Sequence, residues 1–219
     1  MIVKQARALA LQGALLLLAL FAAFVPALGG QHGDTWLIIP GVKAGPITPT
    51  VSESDLIRIY GKQNVRSTNV NLGEGESEPG TVLFPRESVK KLEILWKDQQ
   101  RKQSPRSLQI SGEKSLWKTA EGITLGTTLR QLQRINGKPF ILAGFGWDYG
   151  GTIVSWDRGN LEKEFTRGGR IILRLAQRKE GVLNEEEYQS IEGDKDLRSD
   201  HKVLQKMNPP IWQMIVRFN

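Results

Sequence analysis

The chain has 219 residues, with 30 Lys and Arg against 23 Asp and Glu, a formal net charge of +7 and no cysteine. The missing cysteine excludes a disulfide framework, a thiol nucleophile, thiolate metal sites and a lipoprotein anchor. The modest basic excess is typical of a solvated surface and also suits anionic envelope surfaces.

The N-terminus has the pattern of a secretory signal. A short basic start is followed by an apolar block over residues 8–25 and then by small residues. We therefore predict a signal peptide over residues 1–29, with cleavage after Ala27 or, preferably, after Gly29. The alternative is an uncleaved membrane anchor, because the block approaches the length that crosses a bilayer. Either way the protein is expected to be periplasmic or otherwise exported, with no nucleic-acid partner and with membrane contact only through an uncleaved signal.

An internal repeat dominates the remaining chain. A shift of 137 − 61 = 76 residues aligns two segments without a gap, which predicts two copies of one supersecondary unit. Ser52 coincides with Thr128, a matching helix-start residue. The repeat signature places Ile47, Thr48, Leu56 and Gly61 on Ile123, Thr124, Leu132 and Gly137.

Residues 30–46 read as an extended, turn-rich lead-in to the first helix. In that helix Thr50 is the predicted N-cap, Glu53 completes a capping box and Gly61 ends the helix. The residues predicted to form its apolar stripe are Leu56, Ile59 and Tyr60.

The second helix repeats this design. Thr127 or Thr128 caps it, Gly137 ends it, and Leu129, Leu132 and Ile135 face inward. Helices of two to three turns do not persist alone in water, so each is expected to dock on a sheet.

Alternating apolar residues predict those sheets. Strands are expected over residues 81–84, 92–96 and 108–110, then over 140–145, 152–156, 171–175 and 211–218. The predicted inward faces are Leu92, Ile94 and Trp96; Ile171, Leu173 and Leu175; and Trp212, Met214, Val216 and Phe218.

The resulting fold class is α+β. We predict two tandem repeats, over residues 47–117 and 118–219, each a short helix followed by an antiparallel three- or four-stranded meander. The helices are expected on one face of the sheet. The junction at 112–122 is short enough for the two sheets to join edge to edge.

This tandem unit resembles the beta-lactamase-inhibitor-protein-like fold, a group that includes small lipoproteins of outer-membrane assembly. Residues 123–129 and 132–139 carry most of the likeness. Residues 144–151 look more specifically like a group of exported bacterial proteins of unknown function. The resemblance implies action by binding and supplies no catalytic residue, and the chain differs from the lipoproteins in lacking the anchoring cysteine.

Few residues suggest catalysis or metal binding. The only histidines are His32 and His201, and the acidic segment Glu74, Glu76 and Glu78 lacks the ordered spacing of a calcium loop. We read these groups, and the charged stretch over residues 185–200, as solvated, with calcium at the three glutamates as the alternative. No catalytic residue, metal site or cofactor is predicted.

The candidate binding residues are Trp147, Asp148 and Tyr149, set among four glycines. Aromatic side chains with a polar handle dominate many recognition surfaces; the alternative is that both rings join the core. The sequence thus favours a non-enzymatic binding module of the cell envelope, whose partner is an envelope protein or polymer. The alternative is a hydrolase of cell-wall polysaccharide that uses Asp148 with Glu78 or Asp34.

Overall fold

The computed structural model describes residues 35–73, 75–166, 169–177 and 182–218. The predicted signal peptide lies outside them. The helices in the described part are Glu53–Tyr60 (α1), Leu129–Asn136 (α2), Asn160–Thr166 (α3), Glu185–Ile191 (α4) and Lys202–Met207 (α5). No helix of this part has the length and apolar character needed to cross a membrane.

The strands confirm the α+β class. In chain order they are Leu37–Ile39 (β1), Lys43–Ala44 (β2), Val65–Gly73 (β3), Glu76–Leu83 (β4), Leu92–Asp98 (β5), Gln103–Ser111 (β6), Lys118–Thr119 (β7), Ile141–Ala143 (β8), Ile153–Ser155 (β9), Gly169–Leu175 (β10), Asp196–Arg198 (β11) and Ile211–Phe218 (β12).

A six-stranded antiparallel sheet is the centre of the fold. Its order is β10-β12-β6-β5-β4-β3, so β3 to β6 form a four-stranded meander and β6 pairs with β12. Leu108 of β6 lies opposite Val216 of β12. The strands of the two predicted halves therefore do join edge to edge. The other strands form two smaller sheets, with the orders β2-β1-β7 and β11-β8-β9.

One hydrophobic core unites both halves. The predicted inward residues of β5 and β10 are at most 4% exposed, and they share a cluster with Leu56 of α1 and Leu132 of α2. Burial of these apolar faces stabilises helices that are too short to form alone. Three predicted inward positions of β12, Met214, Val216 and Phe218, belong to the same cluster.

The first helix begins two residues later than predicted. Ser52, not Thr50, is its N-cap, and Asp55 rather than Glu53 completes the capping box. The carboxylate of Glu53 instead accepts hydrogen bonds from Ser67 and Thr81 on the sheet. Two candidate caps so close together cannot be separated by local pattern alone.

The apolar stripe of α1 also differs from the prediction. Ile59 is 49% exposed, whereas Ile57 and Tyr60 pack against the core beside the buried Leu56. In α2 the cap is Thr128, with Gln131 completing the box, and Leu129 and Leu132 are buried as predicted.

The entry to α1 and the entry to α2 make equivalent backbone contacts with β6 and β12 and the residues just before them. Glu53 N donates to Lys102 O, and Leu129 N donates to Pro209 O. The residue before each N-cap is bonded to the start of β6 or β12, because Ser104 N donates to Val51 O and Ile211 N donates to Thr127 O. Gly61 and Gly137 both end their helices with positive φ, at 83° and 78°.

The second half departs from a plain meander. The chain inserts α3 between β9 and β10, and α4, β11 and α5 between β10 and β12. The segment read as a solvated connection thus contains regular structure. Asn184 caps α4 through a box with Glu187, and buried apolar residues anchor the segment: Ile191, Leu197, Leu204 and Met207. Charged residues separate these apolar positions, so the sequence showed no clear helical or strand periodicity there.

Two further segments are more structured than the sequence indicated. The described part of the lead-in forms the β1–β2 pair, which β7 joins in parallel. The acidic, glycine-rich stretch before residue 81 is the turn and first half of β4, paired with a strand, β3, that the sequence analysis missed. Glu76 and Glu78 are therefore strand residues, and Glu74 lies outside the described residues.

Candidate functional site

The loop between β8 and β9 is held firmly by its backbone. Gly144 N donates to Lys195 O and Phe145 N donates to Ile191 O, each at 2.8 Å, so the loop rests on the segment around β11. Two turn bonds shape its tip, from Gly150 N to Trp147 O at 2.9 Å and from Thr152 N to Tyr149 O at 3.2 Å. This anchoring fixes the position of the candidate binding residues.

Gly151 lets the loop approach β10 closely. Its φ is +73°, and a Cβ added there would lie 2.3 Å from the carbonyl oxygen of Leu175. The amide of Leu175 donates to Gly151 O at 2.9 Å. A residue without a side chain is required at this crossing.

The aromatic rings at the loop tip face solvent. Trp147 is 40% and Tyr149 50% exposed, so these rings do not belong to the buried core. Their centroids lie 5.4 Å apart with an edge-on angle of 68°. The indole N–H of Trp147 donates to Gly144 O at 2.9 Å, which fixes the ring.

Arg174 of β10 packs beneath the loop. Its guanidinium carbon lies 5.4 Å from the centroid of the Tyr149 ring, a cation–π contact. Its Nε is buried and has no hydrogen-bond partner among the described residues. Burial lowers the pKa of Arg174 below its usual value, the proximity of Tyr149 and Asp148 acts in the opposite direction, and Arg217 adds to the lowering.

A groove of about 600 Å³ runs across this face of the sheet from Leu72 of β3 to Tyr149. Leu95 and Ile215 contribute apolar surface to it. Its charged lining residues are Arg106, Arg174 and Arg217. The volume lies within the range of small-molecule sites.

Arg174, which lines this groove, has a polar residue on each side of it. Thr152, Arg174 and Gln213 lie opposite one another on neighbouring chain segments. Each has a buried polar atom without a partner among the described residues: Thr152 Oγ1, Arg174 Nε and Gln213 Oε1. Buried polar groups normally find partners. Of the three residues Arg174 lines the groove, so its Nε–H is the donor available to a ligand there.

Trp212 adds a further aromatic ring, and here the sequence prediction was wrong. The pairing of β10 with β12 shifts between Arg174 and Leu175, so that Leu175 lies opposite Ile211. This β-bulge turns Trp212 away from Met214 and its inward neighbours, and leaves the ring 38% exposed. Trp212 and Trp147 line the same two clefts beside the loop.

The acidic residues are arranged differently from the predicted pairs. Asp148 shares a cleft of about 380 Å³ with Glu76. Glu78 accepts hydrogen bonds from Arg106 and Gln99, both at 2.7 Å. Asp34 lies outside the described residues.

The histidines and the remaining acids form no evident metal centre in the part of the chain that the structure describes, where no group of three or more His, Asp or Glu could hold an ion. His201 precedes α5, and its Nδ1 is buried without a partner among the described residues. His32 lies outside those residues.

Sequence reasoning missed Arg174, Arg217 and Gln213. The signal was present, because Arg174 sits between the inward-facing Leu173 and Leu175, and Arg217 between Val216 and Phe218. Alternation in a strand sends these arginines to the opposite face of the sheet. Their meeting with a loop residue as distant as Tyr149 was not visible in the sequence.

Comparison of the chain with models of known protein families, with curated proteins and with solved structures gives no match.

Proposed function

We propose that this protein is an exported, non-enzymatic binding module of the cell envelope, which takes its partner in the groove beneath the Trp147–Tyr149 loop. One observation carries the proposal: two solvent-exposed aromatic rings are held by a hydrogen-bonded loop beside a half-buried arginine. Tyr149 lines the groove with Arg174, and Trp147 lines a neighbouring cleft that also contains Tyr149 and Arg174. Rigid aromatic side chains of this kind bury a large surface area on binding at a low cost in conformational entropy.

The proposal includes the duplicated architecture. The equivalent helix caps, the equivalent bonds from each helix start to β6 or β12, and the positive φ of Gly61 and Gly137 support two related halves. The edge-to-edge pairing of β6 with β12 provides the broad face on which the groove lies. Export rests on the signal-like N-terminus.

Site-specific crosslinking tests the binding role. A photoreactive amino acid replaces Tyr149 in the full-length protein expressed in its native host, and the matched control replaces Ile59, an equally exposed residue of α1. We expect a discrete crosslinked product from position 149 and none from position 59. Fractionation of the same cells tests the predicted localisation.

A loop variant makes this test sharper. Trp147→Ala should abolish the product at position 149, whereas Val154→Ala, at another exposed site near the loop, should keep it. The groove would not be the binding site if positions 59 and 149 gave the same products. The same conclusion would follow if the product at position 149 were unaffected by Trp147→Ala in a stably folded protein.

A cell-wall hydrolase is the second candidate, and the cleft that Asp148 shares with Glu76 favours it. Two carboxyl groups facing one cleft are the minimum requirement for glycoside hydrolysis. Incubation with peptidoglycan and chromogenic glycosides tests this candidate, with Asp148→Asn and Glu76→Gln as variants. Activity that either variant abolishes would support it, and no turnover by the wild-type protein would reject it.

A further inference from the structure

The three arginines of the groove differ in how their charge is balanced. Arg106 donates to the carboxylate of Glu78 at 2.7 Å, so its charge is matched. Arg174 has the carboxylate of Asp148 near enough to favour its charged form. The side chain of Arg217 is exposed and makes no hydrogen bond or ion pair with the described residues. Among those residues, one positive charge of the groove thus lacks a counter-charge.

Arg174 and Arg217 also influence each other. Both line the same groove, and the proximity of Arg217 disfavours the charge on Arg174. The Nε–H of Arg174 is a buried donor without a partner among the described residues. Because a buried donor without an acceptor is costly, a ligand anion between the two guanidinium groups would relieve both the repulsion and the unmet donor.

The rest of the groove suits an apolar body attached to that anion. Tyr149 contributes a half-exposed ring, and Leu95 and Ile215 contribute aliphatic surface. Small-molecule sites combine a mainly apolar wall with a few fixed polar groups. The cation–π contact with Tyr149 holds the Arg174 guanidinium plane in place.

We propose that the groove binds a small organic monoanion, a carboxylate on an apolar or aromatic body, with the carboxylate held between the guanidinium groups of Arg174 and Arg217. The inference rests on the proposed binding role and adds the chemical class of the ligand. A guanidinium fork matches a carboxylate with two parallel hydrogen bonds. A single uncompensated charge favours a monoanion over a dianion.

Titration with matched probes tests this class. The probes are 2-naphthoate, its neutral amide 2-naphthamide and the dianionic 2-naphthyl phosphate. Binding is followed in NMR spectra of the ¹⁵N-labelled protein through the backbone amide signals of Tyr149, Arg174 and Ile215, which line the groove. We expect naphthoate to bind at least about tenfold more tightly than the amide and more tightly than the phosphate.

Variants then locate the carboxylate. Arg217→Gln and Arg174→Gln should each lower the affinity for naphthoate about tenfold or more. The affinity of Arg217→Lys should lie between those of Arg217→Gln and wild type, because lysine keeps the positive charge but lacks the two parallel donors of a guanidinium group. Arg134→Gln, an exposed arginine of α2, is the matched control and should bind as wild type does. Unchanged amide signals away from the groove show that each variant is folded.

Each contrary outcome is distinct. Equal affinity for naphthoate and naphthamide, or naphthoate binding unaffected by Arg217→Gln, overturns the carboxylate assignment. Tighter binding of the phosphate replaces it with a dianion site. Absence of binding by all three probes overturns the inference about the ligand class. The crosslinking experiment at position 149 tests the proposed binding role independently of that result.

Discussion

The guanidinium of Arg174 lies 5.4 Å from the centre of the Tyr149 ring, although Tyr149 is in the loop between β8 and β9 and Arg174 is in β10 of the central sheet. This contact links the exposed loop to the central sheet. The orientation of the loop thus depends on a residue whose charge faces the groove.

Replacement of Tyr149 tests the contact. Tyr149→Ala should lower the free energy of unfolding by about 0.5–1 kcal/mol, the usual value of a partly exposed cation–π pair. Tyr149→Phe should have little effect, because the ring remains and the hydroxyl makes no hydrogen bond with the described residues. Urea unfolding measures both, and equal losses for the two variants would contradict the contact's role.

The N-cap of α1 is a second target. Ser52→Ala removes the acceptor for Asp55 N and should cost about 1 kcal/mol. Thr50→Ala, two residues earlier, should change stability by much less, because Thr50 is outside the helix and exposed. Equilibrium unfolding of the pair decides which residue is the cap. A larger loss at Thr50 than at Ser52 would assign the cap to Thr50.

Gly151 should tolerate no side chain. Gly151→Ala combines positive φ with a Cβ 2.3 Å from Leu175 O, and we expect a loss of at least about 2 kcal/mol together with a changed signal from Trp147. The matched control is Gly193→Ala, whose φ is +95° but whose Cβ would meet open space. Gly193→Ala should lose only the stability that a side chain costs at a positive φ. Similar losses at both positions would mean that the loop does not approach β10 as described.

Glu53 should contribute to acid sensitivity. Burial acts to raise its pKa, but hydrogen bonds from Thr81 and Ser67 and the charge of Lys102 outweigh burial and lower the pKa below the usual 4.5. The ionised carboxylate therefore stabilises the fold above pH 4.5, and this contribution is lost as the pH falls through the lowered folded-state value.

Unfolding between pH 6 and pH 3 measures this effect. Wild type should lose more stability over that interval than Glu53→Gln, whereas Glu121→Gln, at an exposed position, should follow wild type. Parallel pH profiles for wild type and Glu53→Gln would show that Glu53 does not titrate differently in the folded state.

Local patterns predicted the elements that local chemistry controls. The positions of α1 and α2, the glycines that end them and the inward faces of β5 and β10 all follow from capping and periodicity within a few residues. The same reasoning failed where a distant contact decides. Ile59 fits the helical stripe of α1 but remains exposed, because the packing of the neighbouring sheet favours Ile57.

The candidate site shows this division clearly. The glycine-rich setting predicted a loop at Trp147, Asp148 and Tyr149 but left open whether the two rings join the core. The structure exposes both rings, and all three side chains line a cleft. The bulge that exposes Trp212 had no local signal, since it arises from the pairing of β10 with β12.

By itself, the amino-acid sequence determined the α+β class, the two capped helices and which face of most strands is apolar, because these depend on neighbours within a turn or a strand. Only the tertiary structure decided that β6 joins β12 and that Tyr149, Arg174 and Arg217 meet at one groove. Pairing of strands from distant parts of the chain brings these residues together, and that pairing is selected by the burial of the whole core rather than by any one segment.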